Sequence, residues 1–201
     1  MALYTGKGDD GTTKTFGCDQ RISKSSAIAE ALGALDEINS FLGLVKVKSS
    51  ESGFKLGENS FDSLVHRLQE NLFTVQAELA GADKHISADK VKEMEGWVAQ
   101  VEEELPPIKT FFISGGTELG ASFDFARTLA RRAERRVVAV AESEKETGLP
   151  AHGQASGNSR PTPFPSPNTL KFLNRLSSVL YALARLSNHR SGINETPPSY
   201  N

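Results

Sequence analysis

The stretch FARTLARRAERRVVAV, residues 125–140, decides the fold. Taken with Phe123 just before it, its apolar members are Phe123, Ala126, Ala130, Ala133, Val137 and Val140. Steps of three and four residues bring such a set to one side only in an α-helix. The opposite side carries five arginines and one glutamate between Arg127 and Arg136. At about 100° per residue, Arg127, Arg131, Glu134 and Arg135 share one stripe, and Arg132 and Arg136 form a neighbouring row. Three uses of that charge stay open. It is a solvated face with Glu134 paired to Arg131, a nucleic-acid-binding helix, or a compact site where guanidinium forks grip polyphosphate oxygens.

Outward from this helix the same period recurs. Ile28, Ala31, Leu32, Leu35, Ile38, Leu42 and Val45 predict a helix over residues 25–48. Leu64, Leu68, Leu72, Val75 and Leu79 predict a second from Phe61 to Ala80. A third, Ala88 to Glu104, stops before Pro106 and Pro107, which cannot continue it. The arginine helix spans Thr117 to Glu146, and Leu173, Leu176, Leu180 and Leu183 predict a fifth from Asn168 to Asn188. No strand-like alternation competes. The expected architecture is all-α, a five-helix up-down bundle of the ferritin-like kind. Residues 1–191 form a single domain, with a glycine- and threonine-rich loop at 1–23. Residues 148–168, with five prolines, three glycines and three serines, read as a flexible insertion, and 192–201 as a disordered tail.

The chain has 201 residues, 38% of them apolar, enough for one core. Its 23 basic and 25 acidic residues leave a net charge of −2, so any polyanion site must be local and nucleic acid is not an expected partner. A single cysteine, Cys18, excludes an internal disulfide and a cysteine-based zinc cluster. Residues 1–11, MALYTGKGDDG, lack the apolar run of a signal peptide, and no 18-residue apolar window suits a membrane span. A cytoplasmic protein is expected.

Gly6, Gly8 and Gly11 make a formal GxGxxG, but no strand precedes it and TTKTFGCD is a poor helix opening, so a dinucleotide fold is not indicated. Nor do a lysine and a serine or threonine follow Gly11 as a Walker loop requires, since Thr12 and Thr13 stand there. A plain surface turn and a phosphate cradle, with Lys7, Lys14 and the threonines as donors, both remain open. None of His66, His85, His152 and His189 has a glutamate three positions earlier, which argues against a di-iron carboxylate bundle. No hydrolase elbow is present. Asp36 and Asn39 interrupt the first apolar stripe and Asn174 and Arg175 the fifth, as buried polar contacts would.

Six segments in order carry a resemblance: YTGKGDDGTT at 4–13, RISK at 21–24, ALDEINSFLG at 34–43, FFISGG at 111–116, ARTLARRAERRVV at 126–138 and FLNRLSSVLYALAR at 172–185. Together they resemble the PduO-type ATP:corrinoid adenosyltransferases, a family of trimeric helical bundles. The resemblance implies that cob(I)alamin attacks the 5′ carbon of ATP, giving adenosylcobalamin and triphosphate. Positioning and charge stabilisation then do most of the work, which suits a sequence without a catalytic His or Cys arrangement.

Carried over by motif, the ATP site comprises Thr5, Gly6, Lys7, Gly8, Asp9, Gly11, Thr12, Thr13, Lys24, Arg131, Glu134, Arg135 and Asn174. Mg²⁺ rides on the phosphates without a direct protein ligand, and K⁺ is a further cation the resemblance admits. Asp36 and Arg127 match a pair that bridges subunits of the homotrimer on the corrinoid side. Phe111, with Phe112 beside it, matches the aromatic that packs beneath the corrin and excludes the lower axial ligand. Arg131, Asp36, Arg127 and Phe111 are thus the implied catalytic set. A flavoprotein-type reductase and a cobalamin-dependent enzyme are the implied protein partners. Arg132 and Arg136 are left to solvent or to inter-helix ion pairs.

The sequence departs from the family pattern in three places. Gly6 follows Thr5 where the family usually has lysine, displacing the lysine to Lys7. Ser114 replaces the proline of the usual aromatic loop. The 148–168 insertion either lies over the site as a lid or projects into solvent. A non-catalytic carrier or sensor of ATP or corrinoid is the alternative reading.

Overall fold

The computed structural model describes residues 3–15, 21–147 and 164–200. In chain order they form β1 (Thr12–Lys14), β2 (Arg21–Ser23), α1 (Ala27–Ser52), β3 (Lys55–Leu56), β4 (Asn59–Ser60), α2 (Phe61–Leu79), α3 (Ala88–Glu104), α4 (Glu118–Thr147) and α5 (Pro167–Arg190). The five helices fall where the periodicity puts them, and the differences lie at the ends. Ser26 caps α1, its Oγ accepting from the Ala29 N–H at 3.4 Å, which moves the start to Ala27. Gly53, at φ +66°, closes the other end in the left-handed conformation that glycine adopts without penalty. Ser87 caps α3 by accepting from Lys90 N–H.

Contacts between helices fix their directions. From α1 to α2, Asn39 meets Gln69, Lys46 meets His66 and Phe54 meets Phe61, so the numbers run oppositely. From α1 to α4, Glu30 meets Arg136, Glu37 meets Arg132, Phe41 meets Phe125 and Lys48 meets Glu118, again antiparallel. Between α4 and α5, Glu134 meets Asn174, Arg127 stands over Tyr181 and Thr117 meets Asn188. Between α3 and α5 the numbers rise together, Glu95 with Arg175 and Glu104 with Arg190. Thus α1, α3 and α5 point one way and α2 and α4 the other, an up-down bundle. Phe61, Phe123, Phe172, Ile28, Leu35 and Leu68 fill its centre.

Packed by α4 on one side and α3 on the other, α5 is buried from Val179 to Asn188 except at Tyr181. Its entry is anchored as well. Ser166 caps it by accepting from Thr169 N–H, and Pro167 sits in the first turn, where its missing N–H costs nothing. Buried Glu78 of α2 accepts from Ser166 N–H at 2.6 Å and from the Thr169 hydroxyl. Residues 164–168 therefore belong to the helix entry, whereas residues 148–163 of the expected insertion lie outside the described residues.

Two features depart from the sequence expectation. Two short antiparallel hairpins, β1 with β2 and β3 with β4, occur where strands of two or three residues are too brief for alternation to register. Ile22 of β2 packs against the helical core and fastens the N-terminal hairpin to it. The tail, expected to be disordered, turns back on the bundle. Gly192 adopts φ +71°, Ile193 N–H donates to Asn188 O at 2.9 Å, and Thr196 O accepts from Ile113 N–H at 2.9 Å.

Candidate active site

The arginines of α4 divide into two rows with different neighbours. Arg132 pairs with Glu37 and Arg136 with Glu30 (3.7 Å), so this row belongs to the seam with α1, an inter-helix ion-pair role. The other row borders α5. Arg127 donates to Asp124 at 3.2 Å, one turn back, and its guanidinium stands 5.8 Å from the centre of the Tyr181 ring. Glu134 accepts from the Asn174 side-chain amide at 3.2 Å rather than closing onto Arg131. Asn174 and Tyr181, seven residues apart, lie on one stripe of α5. Arg131 and Arg135 extend exposed beside them on α4. The result is a row of cations with two fixed hydrogen-bonding groups along the α4–α5 seam.

Asn174 is itself held. Its carbonyl oxygen accepts from Arg175 at 2.8 Å, and Arg175 in turn donates to Glu95 of α3 at 2.9 Å. The amide group is therefore oriented from both ends. Burial raises the pKa of the Tyr181 phenol above its ordinary value, so it stays neutral beneath the Arg127 guanidinium.

The glycine-rich loop is built from two successive turns, Asp9 N–H to Gly6 O and Gly11 N–H to Gly8 O, both 3.2 Å. Gly6 and Gly11 have φ of +66° and +79°, which a side chain would resist. At Gly8 a Cβ would come within 3.1 Å of both Lys24 Nζ and Thr12 O. Lys24 explains the crowding: its ammonium donates to Gly8 O at 2.8 Å and its N–H to Gly11 O at 2.9 Å. One of its three ammonium donors is thereby committed, leaving two for an incoming oxygen. Arg21 threads the loop from below, donating to Thr12 O at 2.9 Å, to the Thr12 hydroxyl and to Lys7 O. Asp10 accepts from the hydroxyl and N–H of Thr12, and these bonds hold its carboxyl below its usual range. Thr5 Oγ1 accepts from Lys7 N–H at 3.4 Å, and Thr13 pairs with Ile22 in the hairpin.

Through Lys24, which bonds to Gly8 and Gly11, the loop lies beside the start of α1, whose first turn carries Glu30 paired with Arg136. It therefore stands at the end of the bundle that also carries Arg135, Glu134 and Asn174. The FFISGG loop is at the other end of α4, leading into its first turn at Glu118. Phe111 projects with 79% of its surface exposed, whereas Phe112 is half-buried beneath the guanidinium of Arg185, 5.2 Å away. From Arg135 back to Thr117 is about 27 Å of helix at 1.5 Å per residue, which separates the two ends. Asp36 is exposed on α1, and among the described residues no hydrogen bond or ion pair joins it to Arg127 within the chain. Sequence reasoning did not single out Arg21 and Tyr181. The signal for Tyr181 was its seven-residue step from Asn174.

A family model described as cobalamin adenosyltransferase matches residues 3–187. The chain belongs to the cobalamin adenosyltransferase family. The Bacillus subtilis corrinoid adenosyltransferase is 34% identical over 97% of this chain and 91% of its own length. The corrinoid adenosyltransferase PduO of Salmonella typhimurium is 33% identical over 92% of this chain. This chain spans about half the length of that relative, 49%, and of the Citrobacter freundii PduO, 50%. Among solved structures, a variant PduO-type ATP:corrinoid adenosyltransferase from Lactobacillus reuteri, complexed with cobalamin and ATP, superposes with a TM-score of 0.78. That likeness is 25% in sequence and covers 99% of this chain and 97% of that one. Among the described residues, no helix is long and apolar enough to cross a membrane.

Proposed function

We propose that this chain transfers the 5′-deoxyadenosyl group of ATP to the cobalt of cob(I)alamin or a related corrinoid, releasing triphosphate. The observation that carries the reading is the Glu134–Asn174 pair joining α4 to α5, with the exposed Arg131 and Arg135 on the same helix, in a member of this family. In the proposed arrangement the loop from Thr5 to Thr13, Lys24, Arg131 and Arg135 bind the triphosphate, and Glu134 and Asn174 orient the nucleotide by hydrogen bonds. Mg²⁺, with K⁺ as a further cation, is carried on the phosphate oxygens. Cobalt is the nucleophile and triphosphate the leaving group. The carbon–oxygen bond breaks as the cobalt–carbon bond forms, and the electron pair leaves with the triphosphate. The protein's part is to align the three centres and to stabilise charge growing on the departing oxygen.

Phe111, whose ring is exposed in the loop before α4, is assigned to the corrin face, where it would exclude a lower axial ligand and so make the substrate's cobalt easier to reduce. Asp36 and Arg127 are assigned to a contact between subunits of a homotrimer. The exposure of Asp36 supports this, as do the exposed apolar side chains of Leu44, Val47 and Phe125 on α1 and α4. A cytoplasmic setting, a flavoprotein-type reductase and a downstream cobalamin-dependent enzyme complete the proposal.

The test is to incubate the protein with ATP, Mg²⁺ and chemically reduced cobalamin and follow the cobalt–carbon product spectroscopically. Product formation in proportion to enzyme is expected. ATP binding without product would leave a non-catalytic carrier or sensor instead.

A further inference from the structure

The aromatic loop is held from its far side by the C-terminal tail, through a charge buried inside the bundle. The side chain of Arg185 on α5 is only 6% exposed. A buried guanidinium needs a partner, since its desolvation is otherwise uncompensated. Among the described residues, no helix supplies an acidic partner. The tail supplies it, in Glu195, whose carboxylate accepts from Arg185 Nε at 2.8 and 3.2 Å. The same guanidinium donates to Pro106 O at 3.4 Å and lies over the Phe112 ring. One residue further along the tail, Thr196 O takes the N–H of Ile113. Asn188 fixes the loop's exit, donating to Gly115 O at 2.8 Å and accepting from Thr117 N–H at 2.9 Å.

Phe111 is thus flanked by tethered residues while its own ring stays exposed. The tail lies beyond the end of α5 at Arg190. Glu195 and Thr196 also lie beyond the residues that the family model matches, which end at 187. We infer that the segment Ile193–Thr196 is a positioning strap: Glu195, acting through Arg185 and Phe112, sets where Phe111 presents its ring to the corrin. Glu195 touches no substrate in this scheme and is a positioning residue. The inference rests on the assignment of Phe111 to the corrinoid side.

The experiment compares Glu195→Ala, Glu195→Asp, the double variant Arg185→Met with Glu195→Leu, and Phe111→Ala, all in the full chain. Glu195→Ala should raise the KM for cobalamin about tenfold and weaken the four-coordinate cob(II)alamin signal in electron paramagnetic resonance, while the KM for ATP stays within about twofold. Amide exchange at Ile113, read without any corrinoid, should speed up about tenfold. Glu195→Asp should recover most of both effects. If Glu195→Ala fails to fold because Arg185 is left alone, the double variant decides, since it removes both charges together. A folded variant with unchanged cobalamin KM and unchanged Ile113 exchange overturns the strap. If Phe111→Ala alone produces the corrinoid defect, only the strap falls. If Phe111→Ala spares the corrinoid side, the assignment of Phe111 falls and the strap's function with it.

Discussion

Arg131 stands exposed on α4 between Arg127, which is turned onto Asp124 and Tyr181, and Glu134, which is engaged with Asn174. Arg131 itself stays exposed between them. Arg131→Ala should lower kcat/KM for ATP by about 10²-fold or more, as loss of a donor at a developing anion does, while leaving the melting temperature nearly unchanged. A variant with normal steady-state constants would move the triphosphate elsewhere. At this scale the sequence was informative in part. Helical spacing put Arg127, Arg131 and Glu134 on one stripe, and the resemblance supplied the roles. Spacing alone did not say that Glu134 turns to α5 rather than to Arg131, because that choice depends on which helix packs alongside. Arg21 escaped notice for a related reason: its partners, two backbone carbonyls, the Thr12 hydroxyl and the Asp10 carboxylate, lie in an irregular loop that leaves no periodic pattern.

At the scale of elements, helices were legible because each must bury one stripe, and the tail was not. Its attachment depends on the Arg185–Glu195 ion pair and on backbone hydrogen bonds from Ile193 to Asn188 and from Ile113 to Thr196, none of which produces a periodic pattern. The pairing of α3 with α5 offers a measurable consequence. Glu104 accepts two bonds from Arg190, at 2.7 and 2.6 Å, and these hold its carboxyl below the ordinary value of 4.5. A depressed carboxyl pKa contributes stability that is present above the unfolded-state value and lost as pH falls through the folded one. Glu104→Gln should therefore lower urea stability at neutral pH by about 0.5–1 kcal/mol, the figure kept small because the pair is partly solvated. The deficit should close as pH falls below 4.5. A deficit that persists undiminished to about pH 3 would mean that the pair's charge does not stabilise the contact.

For the whole molecule, five apolar stripes buried against one another make the bundle, and the antiparallel contacts of α1 with α2 and α4, and of α4 with α5, set its up-down order. The assembly is a separate matter. If Asp36 of one subunit completes a site with Arg127 of the next, subunits carrying Asp36→Ala and subunits carrying Arg127→Ala should each be inactive alone. Mixed after reversible dissociation, they should recover activity at about a quarter of the sites, those that by chance combine the two intact residues. No recovery from a properly reassembled mixture would place the site within one chain. The most direct measurement of the central claim concerns the fate of the phosphates. With ATP and pre-reduced cobalamin, attack at the 5′ carbon must release one intact triphosphate for every adenosylcobalamin formed. Equal amounts of the two products, with neither ADP nor free phosphate accumulating in step, are expected. ADP or inorganic phosphate appearing instead, without a cobalt–carbon bond, would contradict it.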